Sequence, residues 1–183
     1  MVIVISQSLF LNARGQTAYI PPEKPKLVVG IVVEQLRYDH LEQYRSRLAE
    51  NGIRLLLNEG TYYQNASYEY ILTQSAPGHA TISTGAEPSV HGITSDSWYA
   101  SLRNELIYST ADNSVDPVGG SYESGQHSPV NLLASTFSDE LKMATNGLAK
   151  VYAVGMKDNS AILSAGHSAD AAYWYDSFTG TWM

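Results

Sequence analysis

Seven consecutive residues, 27–33, read LVVGIVV. A run this short and this rich in Val and Ile is too brief for an independent helix. It is apolar on both faces, the pattern of a central strand in a parallel sheet. Glu34, Gln35, Leu36, Arg37, Tyr38 and Asp39 follow at once. Polar and charged side chains therefore gather at the carboxyl end of the strand, where open α/β sheets bind ligands. One stretch thus predicts both an α/β sheet and a wall of a site.

The remainder alternates between helix and strand signals, with no internal repeat and no low-complexity tract. Leu41, Tyr44 and Leu48, then Ile53, Leu55 and Leu56, recur at helical intervals around Asn51-Gly52, and the segment closes at Gly60. That spacing predicts two short helices around a break. Residues 61–70 are rich in Tyr and read as a strand or extended loop. A helix is predicted over residues 129–146, with Pro in its first turn and a stop at Asn146-Gly147. Residues 150–156 predict a second buried strand that ends in Lys157, Asp158 and Asn159. Residues 173–182 read as a strand, a turn at Ser177-Phe178-Thr179-Gly180 and a returning strand.

The stretch 73–85, TQSAPGHATISTG, carries chemistry. Ser is favoured at a helix cap and Pro in the first turn, so Ser75 is expected at or just before a helix N-terminus. Backbone amides there face outward at the positive end of the helix dipole. Such a place binds anions and lowers the cost of ionising a hydroxyl, as a phosphoryl-accepting serine requires. The same pattern also fits an ordinary capping serine.

Composition removes several function classes. Lys and Arg total 11 against 18 Asp and Glu, a formal charge of -7, so no basic stripe exists for a nucleic-acid backbone. There is no cysteine, which excludes disulfides, thiolate metal sites and cysteine nucleophiles. No apolar run reaches the roughly 18 residues a membrane span needs. G-x-S-x-G, P-loop and G-x-G-x-x-G patterns do not occur. The histidines His40, His79, His91, His127 and His167 form no spaced ligand pair and read as structural. The 13 tyrosines read as amphipathic sheet and surface packing. Asn65-Ala66-Ser67 matches a glycosylation sequon, taken as a chance match.

At the N-terminus, residues 2–11 read VIVISQSLFL, followed by Asn12, small residues flanking Arg14, and a Pro-rich stretch at 21–25. This is the outline of a secretory leader without its basic start. The expected division is a signal peptide over 1–15, a linker over 16–25 and a folded domain over 26–183, with a periplasmic or secreted location.

Five blocks in order resemble the alkaline phosphatase superfamily: residues 26–41 (KLVVGIVVEQLRYDHL), 75–93 (SAPGHATISTGAEPSVHGI), 95–99 (SDSWY), 125–132 (GQHSPVNL) and 155–167 (GMKDNSAILSAGH). The chain looks most like the bacterial single-nucleophile phosphatases of that superfamily and the related type I phosphodiesterase/nucleotide pyrophosphatase branch. The resemblance implies an α/β three-layer sandwich with a mostly parallel central sheet, of which this chain would be the N-terminal portion. It also implies metal-dependent hydrolysis of small phosphate esters through a covalent phosphoserine, with phosphomonoesters as substrates and two zinc ions as cofactors.

By position, Ser75 matches the family nucleophile and a zinc ligand, and Glu34 matches the zinc-binding aspartate after the first strand, with one methylene more. Asp96 falls where these phosphatases carry an asparagine that donates to a phosphoryl oxygen, which an ionised carboxylate cannot do. Lys157 keeps the family's phosphoryl-binding cation, and Asn159 stands in place of an arginine that would clamp two oxygens. The resemblance thus implies Asp96, Lys157 and Asn159 as substrate-binding residues. Losing the arginine favours a diester or pyrophosphate substrate as the alternative, and the drift of Glu34, Asp96 and Asn159 together suggests a noncatalytic binding relative as another. The family's remaining metal ligands follow the matched region, so the chain is expected to be a fragment that binds zinc weakly and turns over little by itself. The resemblance does not specify an oligomeric state.

Overall fold

The computed structural model describes residues 25–183. The segment read as a leader and all of the linker but Pro25 lie outside the described residues. After an extended stretch and a turn at Glu34-Gln35, α1 (Tyr38–Tyr44) runs into a short 3-10 turn at Arg45–Arg47. Asn51-Gly52 then reverses the chain into α2 (Ile53–Glu59), as the broken helical spacing predicts. The Tyr-rich residues 61–70 form no regular element; Tyr62 stacks on Tyr38 with ring centroids 6.1 Å apart.

The next helix, α3 (Ser75–Thr84), begins at Ser75 and ends where Gly85 takes the left-handed conformation, φ 68°, that glycine adopts without steric cost. It is followed by α4 (Pro88–His91) and an antiparallel hairpin of β1 (Ser97–Ala100) and β2 (Glu105–Tyr108), with Ser97 opposite Tyr108. Beyond α5 (Tyr122–Gly125) come α6 (Phe137–Ala144), β3 (Tyr152–Gly155), α7 (Asp158–Ala165), β4 (Ala171–Asp176) and β5 (Thr181–Trp182). Strands β3 and β4 pair in parallel around α7, and β5 returns antiparallel to β4, giving the expected terminal hairpin. The architecture is mixed α/β.

Three expectations change. Residues 27–33 are extended but join no ladder among the described residues, and Leu27, Val28, Val29 and Ile31 are exposed. A run apolar on both faces needs cover on both. The described residues face it only across a groove of about 710 Å³, whose other wall is the β3 segment with Phe137 and Leu141 of α6 and Ser160 and Ser164 of α7. Strand β3 is likewise not buried: Tyr152 and Val154 project outward and are exposed. The helix expected from Pro129 starts instead at Phe137, because Pro129 is spent on a turn in which its carbonyl accepts Leu132 N–H. Thr136 and Asp139 form the capping box that sets the real start.

The core unites Ala76 and Ala80 of α3, Leu163 of α7, Ile93 and Leu132, with Trp98 packed against it. Small side chains at 76 and 80 on α3, and at 161 and 165 on α7, let the two helices pack against each other. Ser75 therefore stands on the most firmly buried part of the molecule.

Candidate active site

Ser75 occupies the first helical position of α3, and the residue before it, Gln74, is extended and gives no side-chain cap. The cap comes from far along the chain. Asp96 Oδ1 accepts the backbone N–H of Ala76 at 2.7 Å, while Gln74 Oε1 accepts the backbone N–H of Asp96 at 2.8 Å and the Ser95 hydroxyl at 2.6 Å. Each side chain thus holds the other's strand of backbone, so the amide directly behind Ser75 is paired with a carboxylate.

A cavity of about 550 Å³ opens over Ser75, walled by Val33, Glu34, Gln74, His79 and Asp96 among others. The turn that presents Glu34 is tight: Gln35 adopts φ 59°, which costs a non-glycine residue energy that the surrounding structure must supply. His79 lies one helical turn beyond Ser75 and is only 6% exposed. Its Nε2 stands 3.3 Å from Glu34 Oε1 without hydrogen-bond geometry, and its Nδ1 is 3.4 Å from the Ser164 hydroxyl. Burial pushes the His79 pKa down against the opposing pull of Glu34 and Asp96, which favours the neutral ring near neutral pH.

Lys157 lies in the neighbouring groove, whose wall also includes Glu34 and His79, at the N-cap of α7. Among the described residues its ammonium forms no ion pair. Gly155 lets this end of β3 approach α7: a Cβ there would meet Ala161 N at 2.9 Å and the Lys157 carbonyl at 3.1 Å. Asn159 is 1% exposed in the first turn of α7 and lines neither cavity. The structure therefore brings Ser75, Glu34 and Asp96 together, sets Lys157 in the adjoining groove and keeps Asn159 buried beside it.

Sequence reasoning missed His79 and Gln74 as wall residues. The signal for His79 was present, since residues four apart share one helix face and Ser75 and His79 have that spacing. The Gln74 contacts depend on residues 95 and 96 and have no local signal.

Glu34 and Ser75 offer carboxylate and hydroxyl oxygens to one cavity, beside a buried imidazole nitrogen with no hydrogen-bond partner. That donor chemistry fits zinc. No group of three or more His, Asp or Glu converges among the described residues, so these side chains fit as one part of a coordination shell.

Comparison with known proteins identifies the family and the fold. Residues 28–181 match the family described as type I phosphodiesterase / nucleotide pyrophosphatase. The chain is 48% identical over 161 residues to a protein of Myroides odoratus named calcium-transporting ATPase, covering 88% of this chain and 29% of that one. It is 44% identical to alkaline phosphatase PafA of Elizabethkingia meningoseptica, covering 100% of this chain and 33% of PafA. It is 41% identical to alkaline phosphatase PhoV of Synechococcus elongatus, covering 94% and 32%. The crystal structure of wild-type PafA superposes with a TM-score of 0.85 at 44% identity, over 87% of this chain and 31% of that one. The chain spans about a third of the length of these curated relatives. With the family match running through nearly every described residue and the fold shared with a solved alkaline phosphatase, the chain belongs to the type I phosphodiesterase / nucleotide pyrophosphatase family.

Proposed function

We propose that this chain carries the nucleophile of a phosphate-ester hydrolase. The observation that supports it is the placement of Ser75 at the head of α3, in a cavity shared with Glu34 and next to the groove that holds Lys157. Ser75 Oγ forms a bond to phosphorus as the bond from phosphorus to the leaving oxygen breaks, and the leaving oxygen ends protonated as the alcohol. Water then attacks the phosphoserine, phosphate leaves and the serine hydroxyl is restored. The buried base of α3 holds Ser75 in line, and Lys157 supplies positive charge to the phosphoryl oxygens. Glu34 and Ser75 would hold zinc, which when bound stabilises charge on the attacking and leaving oxygens.

The names of PafA and PhoV support phosphomonoesters as substrates. A second reading, hydrolysis of phosphodiesters, is favoured by the carboxylate of Asp96 beside the nucleophile and by Asn159 in place of a cation. A diester presents one negative charge at phosphorus where a monoester presents two, and so is repelled less. Export to the periplasm or beyond, with residues 1–15 as leader, belongs to the same proposal.

The test is hydrolysis of an aryl phosphate monoester and of an aryl phosphodiester, with added zinc, by the full-length protein and its Ser75→Ala variant. Loss of activity with Ser75 is the expected result, and the ratio of the two rates decides between the readings. A folded wild-type protein inactive on both esters would count for a noncatalytic relative.

A further inference from the structure

The residue between Lys157 and Asn159 is held by a network that the proposed chemistry does not use. Asp158 opens α7, and its side chain is largely buried. Tyr108 OH donates to its Oδ1 at 3.1 Å, and the fully buried Thr110 donates its hydroxyl to Oδ2. His127 Nδ1 lies 3.2 Å from Thr110 Oγ1 and 3.6 Å from Asp158 Oδ2, with its ring edge-on to Tyr108 and to Trp174. Burial, with Asp158 and Asp96 nearby, pushes the Tyr108 hydroxyl far above its usual pKa, so Tyr108 remains a donor.

The network also reaches the other side of the site. Ser109, between the two donors, gives its N–H to the Asp96 carbonyl at 2.9 Å, and Thr110 accepts Ser128 N–H at 2.8 Å. The backbone of Asp96, which caps α3 behind Ser75, and the first residue of α7 are therefore tied to one rigid segment, 108–110. The acceptor oxygens of Asp158 are taken by hydroxyls, and the adjacent Lys157 forms no ion pair among the described residues. An unrestrained carboxylate next to a lysine would be free to neutralise it.

We propose that Asp158 is a positioning residue: held by Tyr108 and Thr110, it fixes the turn that carries Lys157 and keeps its own charge away from that ammonium, leaving Lys157 free for a phosphoryl group. The inference rests on the reading of Lys157 as the phosphoryl-binding cation. A residue that acts only through Lys157 has no effect once Lys157 is gone, whereas general damage to the fold adds to any other loss.

The experiment is a calorimetric titration of the full-length protein with inorganic phosphate, for wild type, Asp158→Ala, Thr110→Val, Lys157→Ala and the two doubles with Lys157→Ala. Asp158→Ala and Thr110→Val are each expected to weaken phosphate by about tenfold, and to change the affinity of the Lys157→Ala protein by less than about twofold. Asp158→Asn, which keeps an oxygen for one of the hydroxyls and carries no charge, is expected to recover most of the affinity lost in Asp158→Ala. Equal losses with and without Lys157, or no loss in either single variant, would overturn the proposal. Thr110→Val keeps the test open should Asp158→Ala fail to fold. Unchanged affinity in Lys157→Ala would instead refute the reading of Lys157 itself, and the inference with it.

Discussion

Asp96 and Ala76 are 20 residues apart in sequence, yet Asp96 Oδ1 takes the Ala76 backbone N–H at 2.7 Å. The first turn of α3 contains no acidic residue of its own, so Asp96 is what complements its free amide and its dipole. Replacing Asp96 with Ala is expected to lower unfolding stability by about 1 kcal/mol, the usual cost of a lost N-terminal cap. Asp96→Asn, which still offers an oxygen, should lose less than half of that. Urea unfolding of the two variants beside wild type checks the order.

His91 predicts a pH dependence. It is fully buried; its Nδ1 accepts Ile93 N–H at 3.1 Å, so Nε2 bears the proton and faces Thr81 Oγ1 at 3.0 Å. Burial lowers its pKa below the ordinary 6.5. The unfolded chain therefore takes up the proton first as pH falls, and stability that is complete above about 6.5 is lost progressively below it. His79 shifts the same way for the same reason, so the His91→Gln variant will retain some of this slope. Urea midpoints measured between about pH 7.5 and 5 should fall less steeply for His91→Gln than for wild type. Parallel curves would contradict the assignment.

The capping box of α6 gives a third expectation. Thr136 Oγ1 accepts Asp139 N–H at 3.1 Å and Asp139 Oδ2 accepts Thr136 N–H at 2.8 Å, both residues being buried. Thr136→Ala removes one half of this pair and leaves the other without its hydroxyl donor. A loss of about 1–2 kcal/mol is expected, with Thr136→Ser close to wild type, as thermal unfolding would show.

Two glycines should respond with opposite sign to the same change. At Gly155 a methyl group would meet backbone atoms of Ala161 and Lys157, so β3 and α7 must separate. Gly155→Ala is expected to cost about 1–3 kcal/mol and to weaken phosphate binding along with stability. At Gly78, within α3, nothing lies within 4 Å of the added carbon, and Gly78→Ala is expected to gain about 0.5–1 kcal/mol. Denaturant unfolding of both variants makes the comparison.

What could be read in the sequence was local. The head of α3 was legible because Ser75 and Pro77 mark a first turn through their own backbone preferences. The helices around Asn51-Gly52 and the hairpin around residues 177–180 were legible for similar reasons. Pro129 misled because its fixed φ suits a turn as well as a helix start, while the true signal, Thr136 with Asp139 three residues on, was already there. Long-range contacts were silent: no local rule ties Gln74 to Asp96, or Asp158 to Tyr108 and Thr110. The apolar pattern of 27–33 gave its extended conformation correctly, but burial depends on neighbours that a pattern does not contain.

That same stretch leaves an edge open to pairing among the described residues. Residues 27–33 carry no charge and no proline, are largely Val and Ile, and donate and accept no ladder hydrogen bonds among the described residues. Such a backbone is a template for any other extended chain, including another molecule of its own kind. Among the described residues it is therefore the place where a further strand can add to the fold, closing over apolar side chains that β3 alone does not cover.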